Sequence, residues 1–160
     1  PDATNQMMQR ERNFESGFTL VEIMVVVVII GLIAAIAIPS FKGVRESSRM
    51  TRFVNDCRVF EGAAQHFLLF SGAASIGDSS TGVLPTVLED YISPAAWGES
   101  TPIGGSWDFD DGYGFFGVGA VGTNLSDAAI ARLDANFDNG DVSTGQIRRG
   151  GGNRVYWVVE

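Results

Sequence analysis

Gly17-Phe18-Thr19-Leu20-Val21-Glu22 leads into an apolar run that continues from Ile23 to Ile38. Of the 21 residues from Phe18 to Ile38, only Thr19 and Glu22 are clearly polar. A helix of that length, rising about 1.5 Å per residue, covers roughly 30 Å, the thickness of a bilayer's hydrocarbon core. The run therefore reads as a membrane helix, and Glu22 is its anomaly. A carboxylate at the bilayer centre costs on the order of 2.5–3.5 kcal/mol on insertion scales, which marks an intramembrane acid as functional. Glu22 follows Phe18 by four positions, about one turn along the same helix face. A cut between Gly17 and Phe18 would place a new α-amino group, mostly protonated at neutral pH, one turn from that carboxylate.

The stretch G-F-T-L-V-E-I-M-V-V-V-V-I-I-G-L-I-A-A-I-A-I-P, Gly17 to Pro39, closely resembles the N-terminal processing and methylation segment of type IV pilins and type II secretion pseudopilins. The resemblance continues more loosely to Phe70. It implies cleavage after Gly17 by a prepilin peptidase, N-methylation of Phe18, and Glu22 as the acid that guides a subunit into a homopolymeric filament on an inner-membrane assembly platform. It also implies a region around residues 31–39, marked by Gly31 and Pro39 as helix-breaking positions, that loses helicity on assembly. The expected fold is α+β: one long helix of about 50 residues packed against a small antiparallel sheet.

Residues 1–17 read as a polar leader carrying Arg10 and Arg12, with Met7 or Met8 as the expected start. Residues 18–39 form the membrane segment, 40–71 the amphipathic half of the same helix, and 72–160 a head. An ordinary signal peptide cleaved at Ala35-Ile36-Ala37 is the rival, opposed by the length of the run and by Glu22 within it. Lys42, Arg45, Arg49 and Arg52 outnumber the leader arginines, so the positive-inside count alone puts the head in the cytoplasm. The pilin resemblance implies the reverse, with the head outside. The first 17 residues hold three acids and two arginines, so the remaining 143 keep −7 of the total charge of −8. An acidic head excludes broad nucleic-acid binding, which needs a basic patch. With Cys57 as the sole cysteine there is no intramolecular disulfide. Many type IV pilins close a C-terminal loop with one, so this leans towards a pseudopilin.

Beyond Pro39, Phe41, Val44, Met50, Phe53, Val54, Cys57, Phe60, Ala64, Phe67 and Leu68 recur at helical spacing and predict one apolar stripe. Ser71-Gly72 ends it. Residues 71–83 read as a loop and residues 83–92 as a short helix with Pro85 in its first turn. Trp107 to Phe109 and Tyr113 to Val118 flank Asp110-Asp111-Gly112 as a hairpin. Ser126 caps a helix to about Phe137, and strands follow at residues 146–148 and 154–159 on either side of Gly150-Gly151-Gly152.

Two acidic runs invite a hard cation. One is Asp108, Asp110 and Asp111; the other is Asp134, Asn136, Asp138, Asn139 and Asp141, read as a calcium candidate through Asp134, Asn136, Asp138 and Asp141. Gly140 comes one place later than an EF-hand loop requires, and the plain alternative is a turn. Sixteen of the twenty glycines follow residue 70, yet none forms a phosphate loop. Cys57 and His66 lie nine positions apart, on opposite helix faces, and cannot form a dyad within that helix. The chain is expected not to be an enzyme and to need no cofactor. The alternative to a filament subunit is a membrane-anchored binding module that never polymerises.

Overall fold

The structure is a computed structural model and describes residues 17–159; the leader expected over residues 1–17 lies, apart from Gly17, outside the described residues. Helix α1 runs Leu20–Ser71, 52 residues, close to the length expected. The chain divides into two compact units that meet at Lys42 and Gly43.

In the first unit the helix is apolar on every side, with a mean hydropathy of 3.1 over its best 18-residue window and none of that window buried within the chain. A helix with no polar face needs an apolar surrounding, which a membrane or neighbouring helices supply. The region marked by Gly31 and Pro39 lies within one continuous helix in the subunit, since α1 runs through both positions. A proline removes one backbone donor and so one hydrogen bond to the preceding turn. The flanking residues, all good or tolerable in a helix, keep the others.

The second unit begins with the amphipathic half of α1. Met50, Phe53, Val54, Cys57, Phe60 and Ala64 are buried at spacings of three and four, whereas Phe41 and Val44, the first members of the predicted stripe, are exposed. The stripe packs on a four-stranded antiparallel sheet made of β1 (Ser106–Asp110), β2 (Gly117–Val121), β3 (Ile147–Gly150) and β4 (Arg154–Val158), in the order β1-β2-β4-β3. One row across the strands reads Phe109, Val118, Trp157, Ile147, all buried; the next reads Asp108, Gly119, Tyr156, Arg148. Period-two alternation thus gives an apolar face to the helix and a polar one to the other side. Phe53 stacks on Trp107 at 5.6 Å, and Phe60 meets Trp107 edge-on at 4.8 Å and Trp97 at 5.2 Å. Trp97 in turn stacks on Phe109 at 5.0 Å. Rings in these geometries add about 0.5–1.5 kcal/mol per pair beyond the area they bury. Trp157 Nε1 donates to Glu61 Oε2 (2.8 Å) and lies beneath the Arg58 guanidinium, so the helix and sheet are also pinned at their rim.

Neither sheet edge is left bare. Along β1, Ser79 and Gly82 donate backbone N–H groups to the carbonyls of Phe109 and Trp107 (3.1 and 2.8 Å). Along β3, Ile147 N–H donates to Asp138 Oδ2 (2.8 Å) and Arg149 N–H to the Val142 carbonyl (2.9 Å). Covered edges block pairing with other strands.

Three local expectations change. The helix over residues 83–92 is a single 3-10 turn, Thr86–Leu88; Leu84, Leu88 and Ile92 are still buried as one apolar set, and Tyr91 is not. The hairpin turn is longer than Asp110-Asp111-Gly112, because β2 starts only at Gly117 and Tyr113 to Phe116 belong to the connection. A Cβ at Gly119 would collide with the Val155 carbonyl, so the strand that fits beneath Tyr156 is the glycine-bearing one. A short helix, α2 (Pro94–Trp97), places Trp97 in the core without any sequence signal read for it. Helix α3 (Asp127–Phe137) is as expected: the Ser126 Oγ accepts from Ala129 N–H at 3.3 Å.

Gly119→Ala should therefore destabilise the head by about 3 kcal/mol, because the colliding partner is backbone that cannot rotate away. Gly62→Ala, on an open side of α1 with nothing near the added carbon, should stabilise it by about 1 kcal/mol. Thermal melting of both variants, in the full chain in detergent, checks the pair.

Candidate functional site

Gly17 and Phe18 precede the first helical turn, and both are exposed, Phe18 at 85 %. The first turn of α1 closes on Glu22. Thr19 N–H donates to Glu22 Oε2 (2.8 Å), the Thr19 hydroxyl donates to the same oxygen (2.8 Å), and Glu22 N–H donates back to Thr19 Oγ1 (3.2 Å). Thr19 is thus the helix N-cap and Glu22 its third residue, a reciprocal capping box in which each side chain satisfies the other's backbone donor. An acid in the first turn also faces the positive end of the helix dipole. The box was missed in reading the sequence, although Thr-x-x-Glu ahead of an apolar run is its signal. Glu22 therefore has a structural task inside its own chain, and the two hydrogen bonds to its carboxylate lower the cost of carrying it in an apolar helix. Gly31 lies within α1 with open space around it, and Pro39 lies within the same helix.

The four calcium candidates do not converge. Asn136 sits on the exposed side of α3, beside Arg132 and Glu46, which form an ion pair at 2.9 Å. Asp138 Oδ2 accepts from the backbone of Gln146 and Ile147 and so staples α3 to β3. Asp141 Oδ1 accepts from Ser143 N–H and its hydroxyl, which hold that carboxyl below the usual range. Asp134 is fully buried, and neither of its oxygens has a hydrogen-bond partner. Burial first, and the charges of Asp138 and Asp141 next, push its carboxyl up; the Gly140 amide opposes this without hydrogen-bond geometry. Among the described residues no three His, Cys, Asp or Glu side chains are grouped to hold a metal. Asp138 and Asp141 already accept hydrogen bonds from turn backbone, which is the turn role that the sequence also allows for this run. The first acidic run is no better placed, since Asp110 is paired with Arg154 at 3.4 Å.

Cys57 is buried against the Val118 carbonyl, and burial pushes its thiol well up, the opposite of an activated nucleophile. His66 is exposed and stacks on Phe70 at 4.4 Å.

Asp134 sets a sign for pH dependence. Its folded carboxyl titrates above the unfolded one, so its favourable contribution is complete below the unfolded value and is lost as pH rises through the folded value. Asp134→Asn should raise the melting temperature at neutral pH, with the gain shrinking as the solution is acidified. Chelator and calcium should leave the melting of the parent unchanged. A rise specific to calcium, absent in Asp138→Ala, would place an ion in the turn after all.

With this geometry in hand, comparison with known proteins is informative for the N-terminal half. Residues 12–38 match the family model described as the prokaryotic N-terminal methylation motif. The chain is 30 % identical over 82 residues to the fimbrial protein EcpC of Eikenella corrodens, covering 51 % of this chain and 54 % of that one. It is 42 % identical over 62 residues to the type II secretion system core protein G of Klebsiella pneumoniae (39 % and 41 %) and 42 % identical over 55 residues to a fimbrial protein of Pseudomonas aeruginosa (34 % and 36 %). The chain thus spans about half or less of the length of these curated relatives. No solved structure matches it. In its methylation motif, and in the long apolar helix that this motif opens, the chain is similar to fimbrial proteins and to the type II secretion system core protein G.

Proposed function

We propose that the chain is a structural subunit of a type IV pilus-like or type II secretion pseudopilus filament. It is inserted in the inner membrane by α1 with the head outside, processed by a prepilin peptidase between Gly17 and Phe18, methylated on Phe18, and polymerised through the N-terminal helix. The observation that carries this reading is the methylation motif joined to a helix that is apolar on all sides and unburied within its own chain. Such a surface has two natural surroundings, lipid before assembly and the same helices of other subunits after it. Cleavage would convert Phe18 to the first residue and put its ammonium beside the capping box that already orients Glu22. In the filament that ammonium would come from a neighbouring subunit, and a charge pair withdrawn from lipid would favour transfer to the growing end. The alternative, an anchored module that does not polymerise, uses the same helix and the same head and differs only in the fate of Phe18 and Glu22.

Two measurements separate them. Mass spectrometry of the mature chain should find an N-terminus at methylated Phe18; a start at Ile38 would mean an ordinary signal peptide. Glu22→Gln keeps the capping-box geometry and removes the charge, whereas Glu22→Val removes both. Filaments seen by electron microscopy should be lost in both variants while the subunit remains inserted. Normal filament yield from Glu22→Gln would leave the acid only its capping task.

A further inference from the structure

The outer face of the sheet holds a buried polar group that the assembly reading does not use. In the row Asp108, Gly119, Tyr156, Arg148 the missing side chain of Gly119 lets the Tyr156 ring cross β2; a Cβ there would fall 2.7 Å from Tyr156 Cδ1. Tyr156 Oη then stands 2.7 Å from Asp108 Oδ2 and 3.0 Å from Asp110 Oδ2. Tyr156 is fully buried and Asp108 is 2 % exposed. A phenol has one proton, and ionised carboxylates only accept. If both acids were ionised, the phenolic proton would serve one and leave the other facing an oxygen lone pair without water. The second short contact needs a second proton.

Its place follows from the remaining donors. Asp110 Oδ1 accepts from Gly112 N–H (2.6 Å), and Arg154 Nη1 donates at 3.4 Å both to Asp110 Oδ2 and to Tyr156 Oη, so this acid is solvated as an anion. Asp108 Oδ1 is buried without a partner. We propose that Asp108 holds the second proton as the neutral acid, donating to Tyr156 Oη while Tyr156 donates to Asp110, so that one dissociable proton latches β1 to β4 across β2. Burial pushes the Asp108 carboxyl up and the Asp110 charge adds to it, while the Tyr156 bond, the Thr81 hydroxyl and Arg154 pull down. The Tyr156 phenol is itself pushed up, mainly by burial, and is not the group that releases the proton.

The titratable and charged groups around Asp108 are few. β1 contributes Asp110, β4 Arg154 and Tyr156, and β3 Arg148, stacked over Phe115; β2 contributes none. The connection after β1 brings Asp111 and Tyr113, which lies 5.9 Å from the Tyr156 ring. The loop over the β1 edge brings Thr81, and its acid, Asp78, is exposed. Because Asp108 titrates higher folded than unfolded, the latch is fully formed below the ordinary aspartate value of about 3.9 and is lost as pH rises through the folded value. Loss leaves an uncompensated buried charge beneath the loop that donates Ser79 and Gly82 N–H groups to β1, and that loop is what alkalinity releases.

The test uses the full chain in detergent. At about pH 5 the infrared carbonyl band of protonated carboxyl groups should lose one group's intensity in Asp108→Asn and keep it in Asp110→Asn. Hydrogen exchange at Ser79 and Gly82 should accelerate with pH by more than the chemical tenfold per unit in the parent, and by no more than that in Asp108→Asn. An undiminished band in Asp108→Asn, or exchange that follows chemistry alone in the parent, overturns the latch. If Asp108→Asn does not fold, the carboxyl carbon resonance of Asp108 in the parent decides; an ionised carboxyl at about pH 5 overturns it.

Discussion

The seating of the Phe53 and Phe60 rings on Trp107 is the contact on which the head depends. It joins the helix to the edge strand, and through Trp97 and Phe109 it brings in α2 and the rest of the inner sheet face. Four short strands of four or five residues have little stability alone, and only a covered face makes them persist. The helix is under the same constraint from its own side. Its stripe is apolar only from Met50 onward in the sense of being covered, and that is where the sheet begins to meet it. Trp157, held at its indole nitrogen by Glu61 and on its face by Arg58, closes the same interface at the opposite strand.

Glu22 has a structural task within its own chain that is separate from the assembly role proposed for it. Within the subunit it completes, together with Thr19, the capping of the first turn of α1. The hydrogen bonds from Thr19 fix the carboxylate's direction within its own chain, and a group already oriented loses less entropy in any later pairing. An acid free to rotate in lipid would have no such orientation.

Much of this was legible in the sequence because it rests on periodicity. The 52-residue helix, its stripe from Met50, the strands carrying Trp107 and Tyr156, and the Ser126 cap all follow from spacing and local chemistry. What was not legible is where tertiary contact decides. Tyr113 to Phe116 have strand composition, yet glycines 117 and 119 form the strand because only they let backbone and the Tyr156 ring lie so close. Pro94 to Trp97 is too short for a period to show. Pro39 interrupts the local pattern, yet the apolar spacing that resumes beyond it already implies the one long helix observed. The acidic run at residues 134–141 reads either as a cation site or as a turn, because composition does not reveal that Asp138 and Asp141 accept from backbone.

The closed edges of the sheet have a consequence for how such a head behaves when crowded. Strand addition is the route by which β-proteins fuse irreversibly, and here each outer strand is already bonded to a loop of its own chain. Copies packed at high local density can then touch only through side chains. Fusion of two heads through their sheets would first require the chain's own loops to be displaced from β1 or β3.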